Sequence, residues 1–148
     1  IGTDVLANRS DWKRIANPFA TEADEIVLIP AIKPDVAIFH APMADKDGNV
    51  WIGRRRELAA MAYASRLTLV TVERIVDKNL LSDELTAAGT LPALYVSDIA
   101  LARRGAWPYG LWGEYDTDTE ELLRYATAAK TAEGYAAYMA GRTTEVAS

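Results

Sequence analysis

Cysteine is absent from the 148 residues, and with it disulfides, thiolate nucleophiles, cysteine zinc sites and iron–sulfur clusters. Such a composition fits a cytoplasmic protein. An excess of basic residues is missing too. The net charge is −5 and the sequence pI about 4.9, so the summed field repels nucleic acid and anionic membrane. No apolar run approaches the roughly 20 residues of a spanning helix, and no basic segment followed by an apolar one opens the chain. The G-x-S-x-G elbow of hydrolase triads does not occur, nor do the G-x-G-x-x-G and G-x-x-x-x-G-K-[ST] phosphate loops. No nucleic-acid partner, membrane partner or bound metal is therefore expected.

What remains is an ordinary globular composition, 50% hydrophobic and 25% charged, the size of about one domain. The opening Ile1-Gly2-Thr3-Asp4 lacks methionine and reads as the middle of a longer polypeptide. Residues 1–24 are polar and mixed, and read as a connecting arm ahead of an α/β domain over 25–148. In that domain Ile26–Ile29 and Val36–Phe39 are short apolar runs that predict buried strands. Asp45-Lys46-Asp47-Gly48-Asn49 predicts a turn that returns the chain through Val50–Gly53. Helical spacing over 54–65 places Leu58, Met61, Ala62 and Ser65 on one face. Further strands are expected over 67–72 and 94–99, and one long amphipathic helix over 119–140. Strand, helix and strand with short links imply a mostly parallel sheet, its strands covered on both faces.

Asp45, Asp47 and Asn49 occupy the first, third and fifth places of a calcium loop, but Val50 stands where glycine is needed and Arg56 where a bidentate glutamate is needed. A plain turn is the better reading. His40 is the single histidine, placed at the end of a predicted strand. It reads either as a pocket residue, since open α/β sheets bind ligands there, or as a core residue hydrogen-bonded to backbone. Arg54, Arg55 and Arg56 open a predicted helix at its positive end, unfavourably for cations. They are either solvated or converge on an anion at the free N–H groups. Chain order puts His40, Asp45, Asn49 and Arg54 on one rim, as candidates for a ligand pocket. The aromatic stretch over 105–118, with Trp107, Tyr109, Trp112 and Tyr115, is broken by Pro108, Gly110 and Gly113, and predicts a surface loop suited to contact.

The run Pro30–Ala41, followed by Ala44–Val50, resembles the middle of the A subunit of class I coenzyme A transferases, where a "PDVA" strand enters an "AD..GN" turn. Thr68–Val76 (TLVTVERIV) is similar to the family's "VTVEEIV" strand, and Gly89–Val96 to the segment closing its sheet. Ile1–Asp4 with Asn17–Phe19, and Gly105–Pro108 with Tyr115-Asp116 and Tyr125-Ala126, resemble the glutaconate branch. The family's glycine-rich "GGF...G.P" element has no counterpart, and Trp107 stands where many relatives carry histidine.

The resemblance implies a NagB/RpiA-like α/β fold, the C-terminal portion of an A subunit that pairs with its own N-terminal half and with a B subunit. Its substrates would be an acyl-CoA and a carboxylic acid, with coenzyme A thioester as substrate and no bound cofactor. The attacking glutamate of the glutamyl-CoA intermediate belongs to the B subunit's "S-E-N-G" motif, so no catalytic residue is expected in this chain. Glu57 and Glu73 are expected at a helix surface and a strand end. A CoA-dependent hydrolase, a ring-opening lyase and a non-catalytic assembly module are the alternatives.

Overall fold

The computed structural model describes Gly2 and residues 4–145. Two compact units divide between Pro34 and Asp35. The first holds a 3-10 turn, Asp4–Asn8, and an antiparallel pair, β1 (Lys13–Ala16) and β2 (Glu25–Leu28), with Ile15 opposite Ile26. Asn17 and Asp24 close the pair through a backbone bond of 3.0 Å and a side-chain bond of 2.8 Å. The Ile26–Ile29 run is a strand, but it is not buried: a two-stranded ribbon has no second layer, and Leu28 and Ile29 are exposed. It pairs with β1, and both strands lie in the unit that ends at Pro34.

The second unit is built on a five-stranded mixed sheet in the order β6-β4-β3-β5-β7. β3 (Val36–Asp45), β5 (Leu67–Val76) and β7 (Asp98–Leu101) are parallel, while β4 (Val50–Trp51) and β6 (Thr90–Leu91) run antiparallel to their neighbours. α1 (Arg56–Ala64) carries the chain from β4 to β5. A short α2 (Glu84–Ala87) precedes β6. The strand expected over 94–99 is displaced to 98–101. Pro92 opens a 3-10 turn, Ala93–Tyr95, and pairing resumes only once Ser97 N–H reaches Thr68 O at 2.8 Å.

The core lies on one face of the sheet. Period-2 alternation sends Phe39, Ala41, Val70 and Val72 inward against Val50, Ile52, Leu91 and Ala62, with Leu58 and Ala59 of α1 packed alongside. The opposite face is covered at His40, Thr71 and Glu73 but not at the start of its strands, where the apolar runs predict cover as well. Val36, Ile38, Leu67 and Leu69 line up in register and are exposed, Ile38 by 68%.

The single helix expected over 119–140 is two: α3 (Thr119–Ala128) and α4 (Ala132–Glu145). Thr131 interrupts it, its hydroxyl accepting from Gly134 N–H at 3.0 Å as an N-terminal cap does. Gly134 permits the corner, because a Cβ there would lie 2.5 Å from Ala128 O. Gly134→Ala should therefore destabilise the chain by on the order of 1–3 kcal/mol, read as a lower urea midpoint. A gain in stability from the better helix former would contradict this.

No helix among the described residues is long and apolar enough to cross a membrane.

Candidate functional site

β4 is only two residues long, so its pairing with β3 covers Met43 and Ala44 and then stops. Pro42, which has no N–H to donate, sits where that pairing ends. Beside it opens a cleft of about 550 Å³. His40 and Pro42 form one part of its lining, Trp51 and Ile52 a second, Leu111 and Trp112 a third. Gly53 (φ 60°) turns the chain out of β4 in a conformation that favours glycine. Gly89 O holds the turn by accepting from the N–H groups of Ile52 and Gly53 at 2.8 and 3.0 Å.

Arg54, Arg55 and Arg56 also line the cleft. α1 starts at Arg56 rather than 54, because Arg55 N–H bonds back to Ile52 O and Arg56 N–H to Arg54 O before helical bonding begins. All three are exposed, and no ion pair joins them to another described residue. No carboxylate among the described residues lines the cleft. An anion meets cations there without like-charge repulsion.

His40 does not end its strand; it lies midway along β3, paired with Thr71. Its Nδ1 is 2.8 Å from Thr71 Oγ1 and its Nε2 2.8 Å from Glu73 Oε1. Both ring nitrogens are thus engaged, and neither is free to act on a molecule in the cleft. Glu73 is not the strand-end residue expected. Its side chain is only 10% exposed, and it accepts from Arg104 N–H (2.7 Å), Gly105 N–H (3.1 Å) and the Tyr115 hydroxyl (2.8 Å). Arg104 adopts φ 53°, and a left-handed residue aims successive N–H groups at one anion. Burial opposes ionisation of Glu73, but the bonds from Tyr115, Arg104, His40 and Gly105 outweigh it and hold the carboxyl below its ordinary range. The same burial pushes the Tyr115 hydroxyl up, the Glu73 charge adding to it.

Asp45 and Asn49 lie elsewhere. Both are buried, outside the cleft lining. Asp45 accepts from the N–H groups of Asp47, Asn49 and Leu80 and from the Asn49 side chain, at 2.8–3.0 Å, while Asn49 Oδ1 accepts from Ala93 N–H at 3.0 Å. They staple the β3–β4 turn to the segments around Leu80 and Ala93. Of the four sequence candidates, His40 and Arg54 meet at the cleft. The sequence reading gives Glu73 and Tyr115 no place beside His40, although a carboxylate in the alternating run Thr71-Val72-Glu73 is a usable signal.

The aromatic loop is divided. Leu111 is buried and Trp107 half-buried, its indole N–H donating to Asp118 at 3.0 Å under the Arg142 guanidinium. Trp112 is 77% exposed and Tyr109 65%. Part of the loop folds onto its own chain, and part faces out.

The model of the coenzyme A transferase family matches residues 11–102. This chain belongs to that family. It is 34% identical to the A subunit of glutaconate CoA-transferase from Acidaminococcus fermentans over 86% of this chain and 39% of the relative. It is 30% identical to the A subunit of 3-oxoadipate CoA-transferase from Pseudomonas knackmussii over 93% and 48%. Among solved structures it is similar to a variant of the decarboxylase AibA/AibB (TM-score 0.78, 32% identity, 94% of this chain and 49% of that one). It is also similar to glutaconate coenzyme A-transferase of Acidaminococcus fermentans (TM-score 0.73, 33% identity, 87% and 40%). The chain thus spans about half or less of the length of these relatives. The mixed α/β sheet is the coenzyme A transferase fold, and the two transferase relatives matched by sequence are A subunits.

Proposed function

We propose that this chain is part of the A subunit of a CoA-transferase, moving coenzyme A between carboxylic acids through a glutamyl-CoA thioester formed on a partner B subunit. The cleft carries the reading. Three guanidinium groups and no carboxylate stand beside an apolar wall of Ile52, Leu111 and the two tryptophans, as an acyl-CoA, with its anionic groups and carbon chain, requires. Arg54 takes an anionic group of that substrate, and His40 borders the acyl chain. The lack of a lining carboxylate agrees with a nucleophile supplied by the partner.

The exposed sheet face at Val36, Ile38, Leu67 and Leu69 supports a covering partner in the assembled enzyme, since parallel sheets are ordinarily covered on both sides. The likeness to a decarboxylase favours a second reading, a CoA-dependent carbon–carbon lyase using the same cleft.

The test is to assemble the chain with the remainder of an A subunit, together with a B subunit, then supply acyl-CoA with and without a free acid. Acid-dependent exchange, with mass added to the B subunit's glutamate, supports transfer; carbon dioxide released without an acid acceptor supports the lyase. Arg54→Ala in that assembly should weaken CoA binding about tenfold or more, the loss of a charge-assisted bond, as measured by calorimetry. Unchanged affinity removes Arg54 from the site.

A further inference from the structure

The loop that walls the cleft is held from beneath by one carboxylate. We propose that Glu73 is the positioning residue of the cleft, fixing both the His40 ring in its lining and the two ends of the loop that carries Leu111 and Trp112.

The geometry follows from the strand. Thr71 and Glu73 are two apart on β5 and so share a face, and the parallel register sets His40 opposite Thr71. The imidazole is strung between them, with 2.8 Å to each. The remaining acceptor positions of Glu73 face the loop. Arg104 and Gly105 supply their N–H groups where the loop leaves β7, and Tyr115 supplies its hydroxyl where the loop returns. That hydroxyl also accepts from Ala106 N–H at 2.9 Å, which ties the returning end to the departing one. Between them Leu111 and Tyr115 exchange backbone bonds of 2.9 and 3.1 Å, so the segment bearing Leu111 and Trp112 is a closed turn standing on the Glu73 anchor.

Gly105 shows how closely this is fitted. A Cβ there would fall 2.5 Å from His40 Cε1 and 2.6 Å from Nδ1, and the ring cannot step aside because both nitrogens are bonded. A second strand residue, Arg74, bonds Glu114, but that arginine is exposed and holds only the returning end. Among the described residues, Glu73 alone bonds the histidine and both loop ends. It touches no substrate in this arrangement and acts through the groups it holds.

The ligand part of the inference rests on the acyl-CoA reading above; the loop part does not. In the 148-residue chain, Glu73→Ala should raise hydrogen exchange at the amides of Arg104, Gly105 and Ala106 by about a hundredfold, the effect of losing a charged acceptor. Amides in the middle of β3 and β5 should keep their protection. Glu73→Gln, which retains one acceptor oxygen, should restore part of the protection. Should Glu73→Ala fail to fold, Glu73→Gln and Tyr115→Phe supply the same comparison, each loosening residues 104–106 by a smaller factor.

In the assembled complex these variants should raise KM for acyl-CoA about tenfold with a smaller change in kcat, since substrate binding is lost rather than chemistry. Unchanged exchange at residues 104–106 in folded Glu73→Ala, or a fall in kcat at constant KM, overturns the proposal. If loop exchange rises while wild-type assembly binds no CoA, the positioning role stands and the acyl-CoA reading falls.

Discussion

Asp45→Ala is expected to cost about 3–5 kcal/mol of stability, measured by urea unfolding at neutral pH. Asp45 is 3% exposed and accepts from three backbone N–H groups and one side-chain amide. Removing the acceptor strands these donors, each left unsatisfied at about 1–3 kcal/mol where water cannot reach. The consequence spreads, because Asn49 in turn holds Ala93 N–H and Asp45 itself holds Leu80, one of the largest fully buried side chains. A loss below about 1 kcal/mol would show that solvent or a neighbour replaces the carboxylate, and that the turn is not the staple described.

Acid should unfold the protein through the same kind of group. Asp45 and Glu73 both have carboxyls held below their ordinary range. In Asp45 burial opposes ionisation, but the bonds from Leu80, Asn49 and Asp47 outweigh it. A folded pKa below the unfolded one means that the unfolded state binds more protons in acid. The stabilisation is fully present above the unfolded values of about 3.9 for aspartate and 4.3 for glutamate, and is lost as pH falls through the folded ones. Denaturation curves at pH 7 and pH 3 should show a marked loss, each unit of depression counting about 1.36 kcal/mol. Glu73→Gln, which cannot titrate, should lose less than the wild type over that interval. An equal loss in both would mean that the Glu73 network does not couple folding to protons.

Particular residues show what is legible beforehand. The β3 and β5 strands follow from apolar runs with β-branched residues, and the turn between β3 and β4 from its Asp, Gly and Asn. The helix after Arg54 is legible in its spacing, though its first turn is not: the bonds from Arg55 to Ile52 and from Arg56 to Arg54 depend on a left-handed Gly53. The break between α3 and α4 escapes the pattern because Thr131 and Gly134 are weak signals within an otherwise good helical run. A single threonine decides the matter only when its hydroxyl finds Gly134 N–H.

The candidate site divides in the same way. His40 and Arg54 are reached from an apolar strand expected to end at His40 and from the start of a helix, positions where α/β sheets gather ligands, although the strand itself runs on to Asp45. Chain order groups Asp45 and Asn49 with them, yet their side chains turn inward to satisfy buried amides. Glu73 reads as a strand-end residue, since nothing local shows that donors from residues 104, 105 and 115 will meet it.

Composition, periodicity and turn chemistry therefore determined β3, β5, the turn after β3 and the helix after Arg54, and with them the parallel course of the sheet's centre, while its motifs pointed to the family to which the chain belongs. These are properties of local conformation and of alternation along a strand, which neighbouring residues settle among themselves. Which carboxylate staples a turn, which one anchors a loop, and which part of a sheet face is left bare were decided only by the tertiary structure. Each depends on hydrogen-bond partners or cover far away in sequence, and hydrogen bonding is decided by distances that close only when the sheet has formed.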